Sequence, residues 1–173
     1  MPKRSKRVVL ISHCLLNVNS RAYGLVTSEL HNIQLSLLIG HLFRKGYGLV
    51  QLPCPEALVM GFKRKTSTKE EYEKLGLRKY ARKLAKEISA LVNSMLSSGI
   101  EVVALIGVAG SPSCGVFTTH VKSELVREPG RGIFVEELLT ELPSEVRLLE
   151  WDFRNPLKSL LIISKELTIP FSN

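Results

Sequence analysis

Three cysteines, Cys14, Cys54 and Cys114, are the only thiols in this chain of 173 residues. Cys14 and Cys54 each follow directly on an apolar, strand-like run, and a third such run, Val102 to Ile106, feeds the loop that carries Cys114. Cys114 lies in Gly107-Val108-Ala109-Gly110-Ser111-Pro112-Ser113-Cys114-Gly115. The glycines there allow close backbone approaches, and Pro112 stiffens the middle. Two hydroxyls, Ser111 and Ser113, and one thiol are thereby held on a short constrained loop. Thiolates from three strand ends can together hold a metal ion or an iron–sulfur cluster. A three-ligand site leaves one position open, which is where metal chemistry occurs. No C-x-x-C pair supports the grouping locally, so it depends on the fold. The alternative is three small buried side chains, since free cysteine is commonly buried.

The elements that must position these residues read as alternating strands and helices. Val8 to Ser12 is rich in β-branched residues without alternation, as suits a strand buried on both faces of a parallel sheet. A helix is expected from about Ser28 to Lys45, where Leu30, Ile33, Leu37, Leu38 and Leu42 recur at helical spacing. Gly48 to Leu52 reads as the second strand, ended by Pro53-Cys54-Pro55-Glu56. Lys63-Arg64-Lys65-Thr66-Ser67 reads as a surface loop. Thr68 and Glu71 have capping-box spacing and open a long helix from about Lys69 to Ser98, broken near Gly76. Its expected buried stripe is Leu77, Tyr80, Leu84, Ile88, Leu91 and Met95. Glu101 to Ile106 is the third strand. Val116 to Arg127 holds a short strand or hairpin. A helix over Ile133 to Leu142, a fourth strand over Val146 to Trp151 and a last short helix from Asn155-Pro156 complete the pattern.

This order predicts an α/β fold: a single layered domain over residues 1–173, with a mainly parallel sheet of four or slightly more strands flanked by helices. Right-handed crossovers keep the strands pointing one way, so their end loops gather along one edge, where ligands bind in such sheets. Cys14, Cys54 and Cys114 all fall on loops leaving that edge.

The net charge is +8, from 24 Lys and Arg against 16 Asp and Glu. That charge suits either an acidic partner such as RNA or a merely solvated basic surface. Residues 1–6 form a basic arm, expected to be flexible. The arm and Val8 to Ile11 could pass for a secretory signal, but Ser12 and His13 interrupt the run, and a buried first strand explains it better. No apolar run approaches the roughly 20 residues needed to span a bilayer. An odd number of cysteines argues against a secreted disulfide scaffold, and a soluble cytoplasmic protein is expected.

Ser12-His13-Cys14-Leu15-Leu16, Pro53-Cys54-Pro55-Glu56 and Gly110-Ser111-Pro112-Ser113-Cys114-Gly115 resemble, in order and separation, the three cysteine motifs of the thiouracil desulfurase (TudS-like) family. The segment from Gly130-Arg131-Gly132 to Leu138 is similar to that family's closing pattern. The resemblance implies that Cys14, Cys54 and Cys114 bind a 4Fe–4S cluster with one iron free of protein ligands. It implies a non-redox reaction in which water replaces the sulfur of a thiolated pyrimidine. Glu56 would be the acid/base, and Ser111 and Ser113 would hydrogen-bond substrate or a cluster sulfur. The chemistry is coherent, because a soft thiocarbonyl sulfur suits iron in a thiolate setting. A carboxylate two residues from a ligand can reach the reacting centre. Its other reading is a helix N-terminal carboxylate stabilised by the macrodipole.

The chain departs from that pattern in places. Asn17 stands where the family usually has glycine, and Arg21-Ala22-Tyr23-Gly24 replaces Arg-Tyr-Asp-Gly. These departures mark a divergent branch, with Asn17, Asn19 and Arg21 as candidates to line the substrate pocket. His13 and His120 are candidate fourth ligand and general base, although packed histidines at such positions are commoner. His31 and His41 read as ordinary helix residues. Three functions follow: a cluster-dependent desulfidase acting on a thiolated base, nucleoside or tRNA base; a zinc protein using the three cysteines with His13 or His120; and an RNA-binding module without chemistry.

Overall fold

The computed structural model describes residues 5–26, 28–123 and 125–168. Of the basic arm, residues 1–4 lie outside the described residues. The described elements are, in order, strand β1 (Arg7–Ile11), two 3-10 turns (His13–Leu15 and Val18–Ser20), helix α1 (Leu30–Arg44), strand β2 (Gly48–Gln51), helices α2 (Pro55–Met60), α3 (Lys69–Lys74) and α4 (Leu77–Ser97), strand β3 (Glu101–Val108), the short strands β4 (Thr118–Thr119) and β5 (Glu128–Pro129), helix α5 (Ile133–Leu139), strand β6 (Arg147–Trp151) and helix α6 (Pro156–Thr168).

The main sheet has the order β2-β1-β3-β6 and is parallel throughout. The expected α/β fold with a four-stranded parallel sheet flanked by helices is therefore the observed one. β4 and β5 pair antiparallel as a separate ribbon, close to the segment expected to hold a hairpin. Alternate strand residues feed two cores. Leu10 and Leu105 pack with Leu77, Ala81 and Ala85 of α4 and Phe134 and Leu138 of α5. Val9, Ile11 and Ile106 pack with Leu35, Leu38 and Leu42 of α1 and Ile163 and Leu167 of α6. The sheet is thus covered by α4 and α5 on one face and by α1 and α6 on the other, as buried parallel strands require. Among the described residues no helix is long and apolar enough to cross a membrane.

Two helix faces differ from expectation. In α1 the buried residues are Leu35, Leu38 and Leu42, while Leu30, Ile33 and Leu37 are exposed. Apolar residues surround this helix, so spacing alone does not say which arc meets the sheet. In α4 the buried face is Leu77, Ala81, Ala85, Ile88, Ser89 and Val92, while Tyr80 and Leu91 are exposed. Small alanines, not the largest side chains, occupy the line of closest approach. The capping box and the break both hold. Thr68 Oγ1 accepts from the Glu71 N–H, Glu71 caps the Thr68 N–H in return, and Gly76 adopts φ +77 between α3 and α4.

β1 and β2 end level with one another, and β3 runs on past Ile106, the partner of Ile11, to Val108. The Leu52 N–H donates to Ile11 O and the Ser12 N–H to Ile106 O, so the ladder continues one residue past β1 and β2. The chain then leaves the sheet at three adjacent points, each carrying a cysteine.

Candidate functional site

Cys14 sits in the first 3-10 turn, anchored by buried Leu15. Cys54 is the N-cap of α2, and its Sγ accepts the Ala57 N–H at 3.4 Å. Pro55 occupies the first helical position, where its missing N–H costs nothing. Glu56 lies in the first turn of this helix, as its helix N-terminal reading in the sequence has it, although six residues are too few to display a period. α2 turns the Glu56 side chain inward, where the residue is buried.

The third loop is fixed by its own backbone and by α5. The Val108 N–H donates to Cys114 O, the Gly115 N–H to Ser111 O, and the Cys114 N–H to Ser111 Oγ. Gly110 takes φ +77 in the turn. α5 has no side-chain N-cap. Its free N–H groups are satisfied by the cysteine loop instead: Ile133 donates to Pro112 O, and Phe134 and Val135 donate to Ser113 O. Gly132 makes this docking possible, since a Cβ there would collide with the Ser113–Cys114 peptide. The Glu150 carboxylate of β6 accepts the N–H groups of Val116, Phe117 and Thr118 and pins the chain leaving the loop.

All three cysteines line one cavity of 290 Å³, together with Glu56, Arg64, Tyr72, Ser111 and Ser113. Glu56 is held from three sides. Ser113 Oγ donates to Oε1 at 2.5 Å, while Arg64 Nε and Tyr72 Oη donate to Oε2 at 3.0 and 3.2 Å. Arg64 also reaches Ser20 O at 2.8 Å, Gly61 O at 3.4 Å and Cys54 Sγ at 3.7 Å. It therefore ties the first and second cysteine loops together. Burial works against the Arg64 charge, but Glu56 and Cys54 outweigh it and raise its pKa. Burial, with Glu56 adding, pushes the Tyr72 phenol above its usual range, which keeps Tyr72 a donor.

Burial pushes the Cys14 thiol up to about 12, and Cys54 adds to the rise. Cys114 is raised by burial, then by Cys54 and Cys14. Cys54 is raised by burial and by Glu56. The sulfurs thus feel one another in a desolvated space. Among the described residues no three His, Cys, Asp or Glu side chains stand close enough to hold a single metal ion. Soft thiol donors spread around a cavity fit a larger thiophilic group better than one ion.

A family model described as "Putative 2-thiouracil desulfurase" matches residues 6–134. The chain belongs to this 2-thiouracil desulfurase family. The uncharacterized protein MJ0003 of Methanocaldococcus jannaschii is 31% identical to it over 139 residues, 80% of each chain. A solved structure, that of the 4Fe–4S-dependent thiouracil desulfidase TudS, matches with a TM-score of 0.53 at 18% identity, over 92% of this chain and 99% of that one. At that identity the likeness is one of fold.

In this member of the 2-thiouracil desulfurase family, Arg21 lines the cavity, with its guanidinium 3.9 Å over the Phe153 ring. Asn17 and Asn19 are not on the cavity wall. Asn17 Oδ1 caps the Asn19 N–H in the second 3-10 turn, which accounts for an asparagine there without any substrate. His13 lies on the wall, with Nδ1 3.0 Å from Gln51 Nε2. His120 is on the wall with Nδ1 donating to Gly110 O. His31, which reads in the sequence as an ordinary helix residue, also reaches the wall and packs against Phe153 at 5.3 Å between ring centroids. Sequence reading missed Arg64, Tyr72, Arg127 and Phe153. Arg64 reads as part of a surface loop, yet its side chain is 6% exposed. The one available signal was its place eight residues after a carboxylate inside the matched segment.

Proposed function

We propose that this protein is a desulfurase that replaces the sulfur of a thiolated pyrimidine with oxygen from water. What carries the proposal is the meeting in one cavity of three thiols and a buried carboxylate whose hydrogen bonds come from Ser113, Arg64 and Tyr72. Cys14, Cys54 and Cys114 would hold a 4Fe–4S cluster. Bound there, the cluster would supply a Lewis-acidic iron for the thiocarbonyl sulfur.

The chain's own residues account for the proton chemistry. Water adds at the ring carbon and gives one proton to Glu56, which returns it to the departing sulfur; the proton of the new C–OH follows as the carbonyl forms and the C–S bond breaks, so sulfur leaves as hydrogen sulfide and Glu56 is again a carboxylate. The sum is thiocarbonyl plus water giving carbonyl plus hydrogen sulfide, with no electrons gained or lost. Glu56 Oε1 is the oxygen toward Ser113, whose hydroxyl also lies 3.5 Å from Cys114 Sγ. Ser113 is thus placed to hand a proton between the carboxylate and the sulfur side of the cavity. Arg64 and Tyr72 both bind Oε2 and hold the carboxylate in one orientation. Neutralisation by Arg64 offsets the cost of burying its charge. Ala22, Leu25 and Val108 add apolar surface to the cavity wall.

The test is anaerobic reconstitution with iron and sulfide, followed by iron counting, an absorption spectrum and sulfide release from 2-thiouracil and thiouridines. About four irons per chain, lost in Cys114→Ser, with sulfide released by the wild type, is the expected result. A protein that binds no iron under these conditions overturns the proposal.

A further inference from the structure

The cavity is richer in arginine than in carboxylates. Its wall carries Arg21, Arg64 and Arg127, and exposed Arg154 stands at the edge beside Phe153. Among the described residues Glu56 is the one carboxylate on that wall. Arg64 is paired with Glu56, and Arg127 with Asp152 at 3.0 Å. Nη1 of Arg21 is buried with no hydrogen-bond partner among the described residues. The Tyr23 N–H donates to Arg64 O at 2.8 Å, which joins segments 21–26 and 61–67 into one ledge. Ala22, Leu25, Arg64 and Thr66 of that ledge line the cavity, and outside the cavity the ledge presents two aromatic rings to solvent, Tyr23 at 79% and Phe62 at 59% exposure. Lys63 and Lys65 follow Phe62 and are exposed. Segments 21–26, 61–67 and 153–154 contain no aspartate or glutamate.

Exposed aromatic rings interleaved with lysine and arginine form the platform on which single-stranded nucleic acids stack while their phosphates are neutralised. A neutral free base needs neither feature. The cavity, at 290 Å³, lies at the small end of ligand pockets. It suits a single ring system, so the remainder of any longer substrate must rest on the rim. An extruded base in a closed pocket with its neighbours outside is how enzymes reach one base of a strand.

We propose that this rim is a docking surface for single-stranded RNA, and that the thiolated base enters the cavity as part of an RNA strand. The second half rests on the desulfurase reading; the docking surface does not. Bases next to the reacting one stack on Tyr23 and Phe62. Their phosphates lie against Lys63, Lys65 and Arg154. Arg21, on the cavity wall, puts its positive charge beside the reacting nucleotide.

The test uses a short fluorescent single-stranded RNA without sulfur, titrated by anisotropy into the reconstituted protein and into the metal-free protein at several salt concentrations. Affinity is expected to fall steeply with salt. Removing both rim lysines, Lys63→Ala with Lys65→Ala, is expected to flatten the log–log salt slope by about 1.4, at roughly 0.7 per lost phosphate contact. Tyr23→Ala and Phe62→Ala are each expected to weaken binding about tenfold. The control pair Lys83→Ala with Lys86→Ala, exposed on α4, is expected to leave both affinity and slope within about twofold.

A second arm compares sulfide release from a thiolated oligonucleotide and from the thiolated mononucleotide, with the strand expected to have the higher kcat/KM by about tenfold or more. The proposal is overturned if RNA binding is absent, if the α4 pair weakens it as much as the rim pair, or if the mononucleotide reacts as well as the strand. RNA binding that follows the rim, with no sulfide released from any thiolated compound by cluster-loaded protein, supports the docking surface and removes the desulfurase reading.

Discussion

The hydroxyl of Ser113 stands 2.5 Å from Oε1 of Glu56, and this bond joins the loop after β3 to the helix that follows β2. Ser113 is buried and its carbonyl accepts from both Phe134 and Val135. Its hydroxyl is therefore aimed by α5, while its partner carboxylate is aimed by α2. The two groups that would move the proton are set by different helices on a common sheet edge.

Ser113→Ala is expected to lower sulfide release by about 10²-fold, the scale of losing one positioned proton-transfer group. Iron content is expected to be unchanged, because the backbone bonds that hold Cys114 do not involve the Ser113 hydroxyl. Iron counting beside steady-state kinetics separates the two effects. Loss of iron in step with activity would mean that Ser113 only supports the loop.

Arg64→Met removes the charge that faces a buried carboxylate, with the two side chains 6% and 9% exposed. Breaking such a pair from one side costs about 3–5 kcal/mol. In a chain of this size that corresponds to a drop in melting temperature of about 10 °C. Arg64→Lys is not expected to rescue it, since one ammonium cannot reach Glu56, Ser20 O and Gly61 O together. The double variant Glu56→Gln with Arg64→Met is expected to recover part of the loss, which calorimetry would show as non-additivity.

The strand ends were legible in the sequence because unbroken β-branched runs announce buried parallel strands, and parallel strands bring their ends together. The Thr68–Glu71 capping box and the break at Gly76 were legible because each is a local rule. What stayed hidden was set by tertiary contact. Arg64 looks like any basic loop residue until α2 places Glu56 beneath it. Phe153 joins the wall only because β6 lies next to β3. Asn17 and Asn19 look like pocket residues through their position after Cys14, yet Asn17 is used in capping its own turn. The faces of α1 and α4 differ from expectation for a related reason. Periodicity gives the presence of a helix more securely than the arc it buries.

Two glycine substitutions are expected to act in opposite directions. Gly132→Ala forces a methyl into the Ser113–Cys114 peptide, and overpacking of this kind costs about 1–3 kcal/mol. The strain falls on the cysteine loop, so iron loading is expected to drop with stability. At Gly40 in α1 a Cβ meets only the far end of Arg44, at 3.4 Å. Gly40→Ala is expected to stabilise the protein by about 0.5–1 kcal/mol through helix propensity. Denaturant midpoints test both, and equal losses would show that neither glycine is special to the loop.

Acid is expected to loosen the site by way of α5. Glu137 accepts from Arg82 at 2.9 Å and from Arg78 at 2.8 Å, and Glu136 pairs with Arg78 and with Lys69 at 2.5 Å. The hydrogen bond from Arg82 outweighs burial and, with Arg78, holds the Glu137 carboxyl below its ordinary 4.5. Burial pushes Glu136 up, but Lys69 and Arg78 together bring it below the same value. A carboxyl depressed on folding contributes stability that is fully present above its unfolded pKa. That contribution is lost as pH falls through the lower folded value. Wild type is therefore expected to exceed Glu137→Gln in stability at pH 7, with the gap closing as pH falls below about 4.5. Salt is expected to narrow the gap at pH 7, since Arg82 is 60% exposed. These ion pairs hold α5 against α3 and α4, and the first turn of α5 holds the Ser113 carbonyl. Hydrogen exchange at the Phe134 and Val135 amides should consequently quicken in Glu137→Gln at pH 7. A gap that persists unchanged at pH 3 would mean that Glu137 acts through packing and not through its charge.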